Sequence, residues 1–162
     1  MREPLGLAKA LALLVPATLL AGAYGSQYWG GLHPCEMCHW QRWAHAAGLG
    51  FAIVAILGGR MPDRGRSFVW LAALSILASG AIGAYHAGVE LGYFEGFTQC
   101  TSSLGGGSTD DLLKKIFDAP LIRCDEIQWS LFGISMAGWN AILSLASALV
   151  ILWLSFKRPR TR

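Results

Sequence analysis

The sequence predicts an all-α integral membrane protein, a four-transmembrane-helix bundle, on three observations. Hydrophobic residues fill 54% of the 162 positions and charged residues only 14%, against roughly 25% charge in ordinary globular domains. The mean hydropathy is +0.43. The uncharged positions gather into four long runs, residues 10–28, 43–58, 68–89 and 131–156. Each is close to the about 20 apolar residues that a helix needs to cross a bilayer core. Helices are the spanning structure expected, because in lipid the backbone must satisfy its own polar groups.

Charge then sets the orientation. Nine of the thirteen Lys and Arg residues lie at the N-terminus (Arg2, Lys9), in the middle connection (Arg60, Arg64, Arg66) and in the tail (Lys157, Arg158, Arg160, Arg162). The positive-inside rule places all three in the cytoplasm, so both termini are cytoplasmic. The two remaining connections, about 29–37 and 90–130, face outward. They hold eight of the ten acids: Glu36, Glu90, Glu95, Asp110, Asp111, Asp118, Asp125 and Glu126.

Taken in order, the first run follows Arg2 and Lys9 and contains Ala21-Gly22-Ala23, which invites comparison with a cleaved signal peptide. Its apolar and aromatic character continues through Tyr24, Tyr28 and Trp29, so it is expected to stay as a helix over 10–28. The second run reaches spanning length only if its helix starts near Cys35 or Cys38. That gives a helix over 38–58 with Cys35-x-x-Cys38 at its N-terminal end. Glycine and proline over 58–65 make a tight turn. In the third helix, 68–89, Gly80, Ala84 and Gly88 recur every fourth residue, a spacing that lets a neighbouring helix approach closely. In the second outward loop Gly105-Gly106-Gly107 precedes a capping-box-like Ser108 and Asp111. Leu112, Leu113, Ile116 and Phe117 then share one face, which predicts a short interfacial helix ended by Pro120. The fourth helix is expected over 131–156. No internal repeat divides the chain, so residues 1–162 read as one membrane domain.

All four cysteines, Cys35, Cys38, Cys100 and Cys124, fall in the outward segments. Four cysteines pair in three ways, and two structural disulfides are a sufficient reading in an oxidising compartment. Three chemical readings compete with it. A four-thiolate zinc site usually shows two close pairs, whereas Cys100 and Cys124 are far apart in sequence. A c-type haem would use Cys35-x-x-Cys38-His39 but leaves Cys100 and Cys124 without a task. A thiol–disulfide relay uses all four as two pairs. On the second helix, Cys38, Arg42 and His45 are spaced by four and three and share a face. The helix N-terminus and Arg42 both favour a thiolate at Cys38, although an arginine there could simply snorkel to the interface. His45 reads equally as packing. His86, beside Tyr85, falls at about the depth of Arg42, where a redox ring carrier in the bilayer could be held.

At these residues the chain resembles the DsbB family of bacterial disulfide bond formation proteins. The resemblance rests on Pro34-Cys35-x-x-Cys38-x-x-x-Arg42, on Tyr85-His86-x-Gly88-Val89-Glu90 and on Cys124-Asp125-x-x-x-Trp129-x-x-x-Gly133, and it extends over the whole chain. It implies an inner-membrane enzyme with its site on the periplasmic side. Such an enzyme reoxidises a periplasmic DsbA-like thioredoxin-fold oxidase and passes the electrons to the membrane quinone pool, ubiquinone or menaquinone. It further implies Cys35, Cys38, Cys100 and Cys124 as catalytic residues, with Cys100 and Cys124 forming the pair that meets the partner. Cys38, Arg42, His86 and Trp129 would face the quinone, with His45 added from its place on the Arg42 face. No metal and no nucleic-acid partner are expected. A membrane-anchored c-type cytochrome and a helical protein with purely structural disulfides stand as alternatives. His39 departs from the family pattern.

Overall fold

In the computed structural model, which describes residues 4–95 and 123–157, four helices form an up-and-down bundle. They are α1 (Pro4–Tyr28), α2 (Glu36–Leu57), α3 (Arg66–Glu90) and α4 (Met136–Phe156). Each is long and apolar enough to cross a membrane. Neighbours in sequence pack against one another and α1 closes the ring on α4. The Cys35–Cys38 pair, the end of α3 and the start of α4 therefore share one end of the bundle. The expected interfacial helix and Cys100 fall outside the described residues.

Local chemistry explains where these helices begin. Cys35 is the N-cap of α2: its extended backbone turns the sulfur back to accept from the Cys38 N–H at 3.4 Å. Ser135 caps α4 by accepting from the Gly138 N–H at 3.1 Å. The fourth helix thus starts at Met136, later than the apolar run does, because residues 130–135 fold as a hairpin. Strands β1 (Ser130–Leu131) and β2 (Ile134–Ser135) pair antiparallel, Ser130 with Ser135 and Leu131 with Ile134. Their turn residues Phe132 and Gly133 both have positive φ, 53° and 75°, as a tight two-residue hairpin turn requires. At the far end, a single 3₁₀ turn (Gly58–Arg60) leads into Gly65, whose φ of 79° and closeness to the Ala55 carbonyl admit no side chain. Asp63 there accepts from Ser67 and from the Gly65 N–H, bonds that hold its carboxyl down at about 2.

The body of the bundle is apolar and made largely of small residues. Ala8, Ala52, Ala72, Ala73 and Ala148 are fully buried with Val69, Ile76 and Ile151. The close approach of α3 to α4 uses Gly80 and Gly83. A Cβ on Gly80 would come within 3.0 Å of Ser144 and Leu145, and one on Gly83 within 2.9 Å of the Asn140 side chain. Ala84, which the spacing by four places on the same face, is exposed. Three and four residues mark adjacent ridges of one helix, and only the ridge that faces α4 carries the contact.

Candidate active site

The site is built where the four helix ends meet. Cys35 is buried and Cys38 partly so, with the two sulfurs 2.9 Å apart. The Cys35 thiol is pushed well above its ordinary value, first because it donates to Cys38 and then because it is buried. Its proton is thereby retained while Cys38 accepts. From α3, His86 brings Nε2 to 3.6 Å from Cys35 Sγ. Cys124, which the chain returns to this point 89 residues later, is buried against the same group. The Cys35 sulfur, a His86 ring nitrogen and the Cys124 sulfur all lie within 4.8 Å of one another. Next to Cys124, Arg123 forms an ion pair with Asp125 at 2.5 Å, which lowers the Asp125 carboxyl.

Beside the sulfurs opens a cavity of about 580 Å³. Cys35, Cys38, Arg42, His45, His86 and Trp129 all contribute to its wall. The residues that the sequence singles out on three separate segments are thus brought to one place, with Cys100 beyond the described residues. Leu19 and Leu20 of α1 line another side. Arg42 is 7% exposed and is held by backbone and side-chain groups of α1. Its Nη2 donates to the Ala23 carbonyl at 2.9 Å, its Nη1 donates to Gln27 Oε1, and the guanidinium lies over the Tyr24 ring at 4.9 Å. Among the described residues no carboxylate pairs with it. A buried guanidinium satisfied only by neutral groups keeps its charge available to an anion or a developing oxyanion.

Several neighbours escaped the sequence reading. Gln41 donates to His86 Nδ1 at 3.0 Å, and Asn140 of α4 donates to Gln41 Oε1 at 2.8 Å. Glu90 lies 3.8 Å from His86 Nε2 and accepts from Ser135. A usable signal was present for Asn140, an amide in the middle of an apolar spanning run, where polar groups are costly and have partners. For Gln41 the neighbouring Arg42 drew the attention. His39, the residue that completes the haem-like pattern, is exposed on the outer face of α2 with its ring beside Trp43.

The chain matches a family model described as disulfide bond formation protein DsbB over residues 7–154. It is 32% identical over 153 residues to the disulfide bond formation protein B of Azoarcus sp. (strain BH72), covering 88% of this chain and 87% of that one. It is 31% identical over 157 residues to the protein of the same name in Xanthomonas euvesicatoria pv. vesicatoria (strain 85-10), with 93% and 90% covered. No solved structure matches.

Proposed function

The chain belongs to the DsbB family of disulfide bond formation proteins, and from that premise we propose that it oxidises a periplasmic DsbA-like thioredoxin-fold partner and delivers the electrons to membrane quinone. A multi-pass membrane thiol oxidoreductase is what membership supplies. The quinone, the partner and the residue roles are our reading. The observation that carries it is the junction at the Cys35–Cys38 pair, with Cys124 beside Cys35 on one side and a cavity walled by Arg42 on the other.

In this scheme a thiolate of the reduced partner attacks Cys100 of a Cys100–Cys124 disulfide. The Cys100–partner bond forms and Cys124 leaves as a thiolate. Cys124 then attacks Cys35 of a Cys35–Cys38 disulfide, making a Cys35–Cys124 bond and releasing Cys38 as the thiolate. The proximity of Cys124 to Cys35 suits this step, since exchange requires sulfur to approach sulfur directly. The place of Cys38 in the first turn of α2 adds to it, because the N–H groups there favour negative charge on the sulfur that is released. When the partner has closed its own disulfide, Cys100 recovers Cys124 and frees Cys35. Cys35 and Cys38 then re-form their bond as two electrons depart.

A quinone fits the cavity by the chemistry of its wall. The apolar side chains of α1 suit a ring carrier that arrives from lipid, and Arg42 suits a ring oxygen that gains charge. When bound, a quinone supplies the acceptor for two electrons and two protons. Arg42 would hold it and stabilise negative charge, Trp129 would cover the ring, and His86 and His45 would bound the pocket. The thiols of the partner are the source of the two protons. Neither the cytochrome nor the purely structural reading gains support from family membership.

The test is to mix purified protein, a quinone and a reduced thioredoxin-fold oxidase, and to follow quinone absorbance. Loss of the quinone spectrum at a rate that depends on both partners is expected. A visible Soret band that survives denaturing electrophoresis, or disulfides that never cycle, would replace the proposal with one of the alternatives.

A further inference from the structure

We infer that Asn140 is a positioning residue that sets the tautomers of both buried histidines, so that His86 presents an N–H, not a lone pair, to the sulfurs. The argument starts from a group whose role is not adjustable. The Ser79 backbone carbonyl lies 3.2 Å from the Asn140 side chain and can only accept. The end of the Asn140 amide that faces it is therefore the NH₂. That NH₂ also meets the Gln41 side chain at 2.8 Å, so the Gln41 atom there is its oxygen. Gln41 consequently turns its own NH₂ toward His86 Nδ1, 3.0 Å away, and Nδ1 accepts. A neutral imidazole with an accepting Nδ1 carries its proton on Nε2. Nε2 is the nitrogen that lies 3.6 Å from Cys35 Sγ and 3.8 Å from Glu90.

The other end of Asn140 runs the same argument in reverse. Its oxygen accepts from Ser144 Oγ at 3.0 Å and faces His45 Nε2 at 2.9 Å. His45 must therefore donate from Nε2, which leaves Nδ1 as a bare acceptor; that nitrogen is buried with no partner among the described residues. The amide cannot escape by rotating. Reversal would set its oxygen against the Ser79 carbonyl and against Gln41 Oε1, and the absence of a side chain at Gly83 leaves a slot fitted to it. Ser79 fixes the ladder further by donating from Oγ to the Gln41 carbonyl at 3.1 Å.

The consequence depends on the thiol-exchange reading above. A His86 fixed as Nε2–H is a donor to negative sulfur and cannot act as a base at that nitrogen while neutral. It stabilises the negative charge that the attack of Cys124 on Cys35 spreads over the sulfurs beside its ring. The opposite tautomer would turn a lone pair toward that charge. Neither Asn140 nor Gln41 touches a sulfur, so both act through His86.

The test is ¹⁵N-histidine NMR of the full chain in detergent micelles, with the cysteines oxidised and both rings neutral. Protonated and bare ring nitrogens resonate far apart, so each tautomer is read directly. His86 and His45 are both expected as Nε2–H in the wild type. In Gln41→Met, His86 should populate both tautomers while His45 stays as it was, because Asn140 remains pinned by Ser79. In Asn140→Leu both histidines should lose their single tautomer. The rate of Cys124–Cys35 exchange should fall in each with the share of Nε2–H tautomer lost, about twofold where the two tautomers become equally populated. A wild-type His86 protonated on Nδ1, or Asn140→Leu with both tautomers intact, would overturn the inference; so would tautomers that move with no change in exchange rate. Because the tautomers are read without turnover, failure of wild-type protein to reduce quinone would count against the enzymatic reading and not against the ladder.

Discussion

The two halves of this bundle are made from the same four helices and solve different problems. Toward the Gly58–Gly65 turn the interior is mostly alanine, valine, leucine and isoleucine, with Ser155 buried among them and accepting from Trp70. Toward the cysteines the same helices bury Gln41, Arg42, His45, Ser79 and His86. A membrane interior gives no hydrophobic reward for helix association, so the first half depends on small residues and close contact. The second half spends side-chain volume on polar groups, nearly all of them partnered, at a cost that only function repays. The comparison teaches where to expect each kind of failure: lost chemistry at one end, lost packing at the other.

The sharpest way to break the comparison is Cys38→Ser. A serine oxygen can neither form the disulfide nor act as a comparable thiolate, so quinone reduction should fall roughly a thousandfold or more, to background. Bundle stability should stay within error, since Cys38 is only partly buried. Retained quinone reductase activity would remove the assignment of this cysteine. Next in size is Arg42→Ala. Loss of a charge-assisted contact of about 1.5–3 kcal/mol corresponds to a rise of roughly ten- to a hundredfold in apparent quinone KM. An unchanged KM would return Arg42 to an interfacial role. Ala72→Leu tests the opposite end. Ala72 is fully buried between α2 and α3, and forcing extra methylenes into such a site costs about 1–3 kcal/mol. Chemical unfolding in detergent should register that loss while quinone KM stays put.

The same division governs what the sequence made legible. Four spans could be read because charge is excluded from long runs, a signal that needs no tertiary information. The start of α2 at the cysteine pair could be read because the apolar run is otherwise too short to cross. The hairpin before α4 could not: Phe132-Gly133 lacks the Asn-Gly or Asp-Gly signal of a two-residue turn, and its residues continue the apolar run of the helix. Arg42 and His86 drew notice as polar groups in apolar helices, and Cys124 as the fourth cysteine. That Cys124 would arrive beside Cys35 and His86 is a property of the folded ends, not of any spacing. Gln41 and Asn140 went unread for a related reason. They meet across the diagonal of the bundle, and which residues of α2 and α4 face the centre depends on helix rotation.

The smallest effect tests whether the hairpin belongs to the bundle at all. Phe132 holds φ at 53° and is 87% exposed, so it bears the steric cost of a left-handed backbone with little burial among the described residues to offset it. That cost is roughly 1–2 kcal/mol for a residue with a Cβ. Phe132→Gly removes it but adds about 0.5–1 kcal/mol of chain entropy to be lost on folding. The balance predicts a gain of roughly 0.5–1 kcal/mol in detergent, read as a raised unfolding midpoint, with turnover unchanged. The same substitution measured in a lipid bilayer divides two cases. An equal gain would make the hairpin a cap on α4 and nothing more. A loss in lipid against a gain in detergent would mean that the Phe132 ring is embedded at the membrane interface, where an exposed aromatic is stabilised by the headgroup region. The polar half of the bundle would then be anchored from outside by lipid, as the apolar half is held from inside by packing.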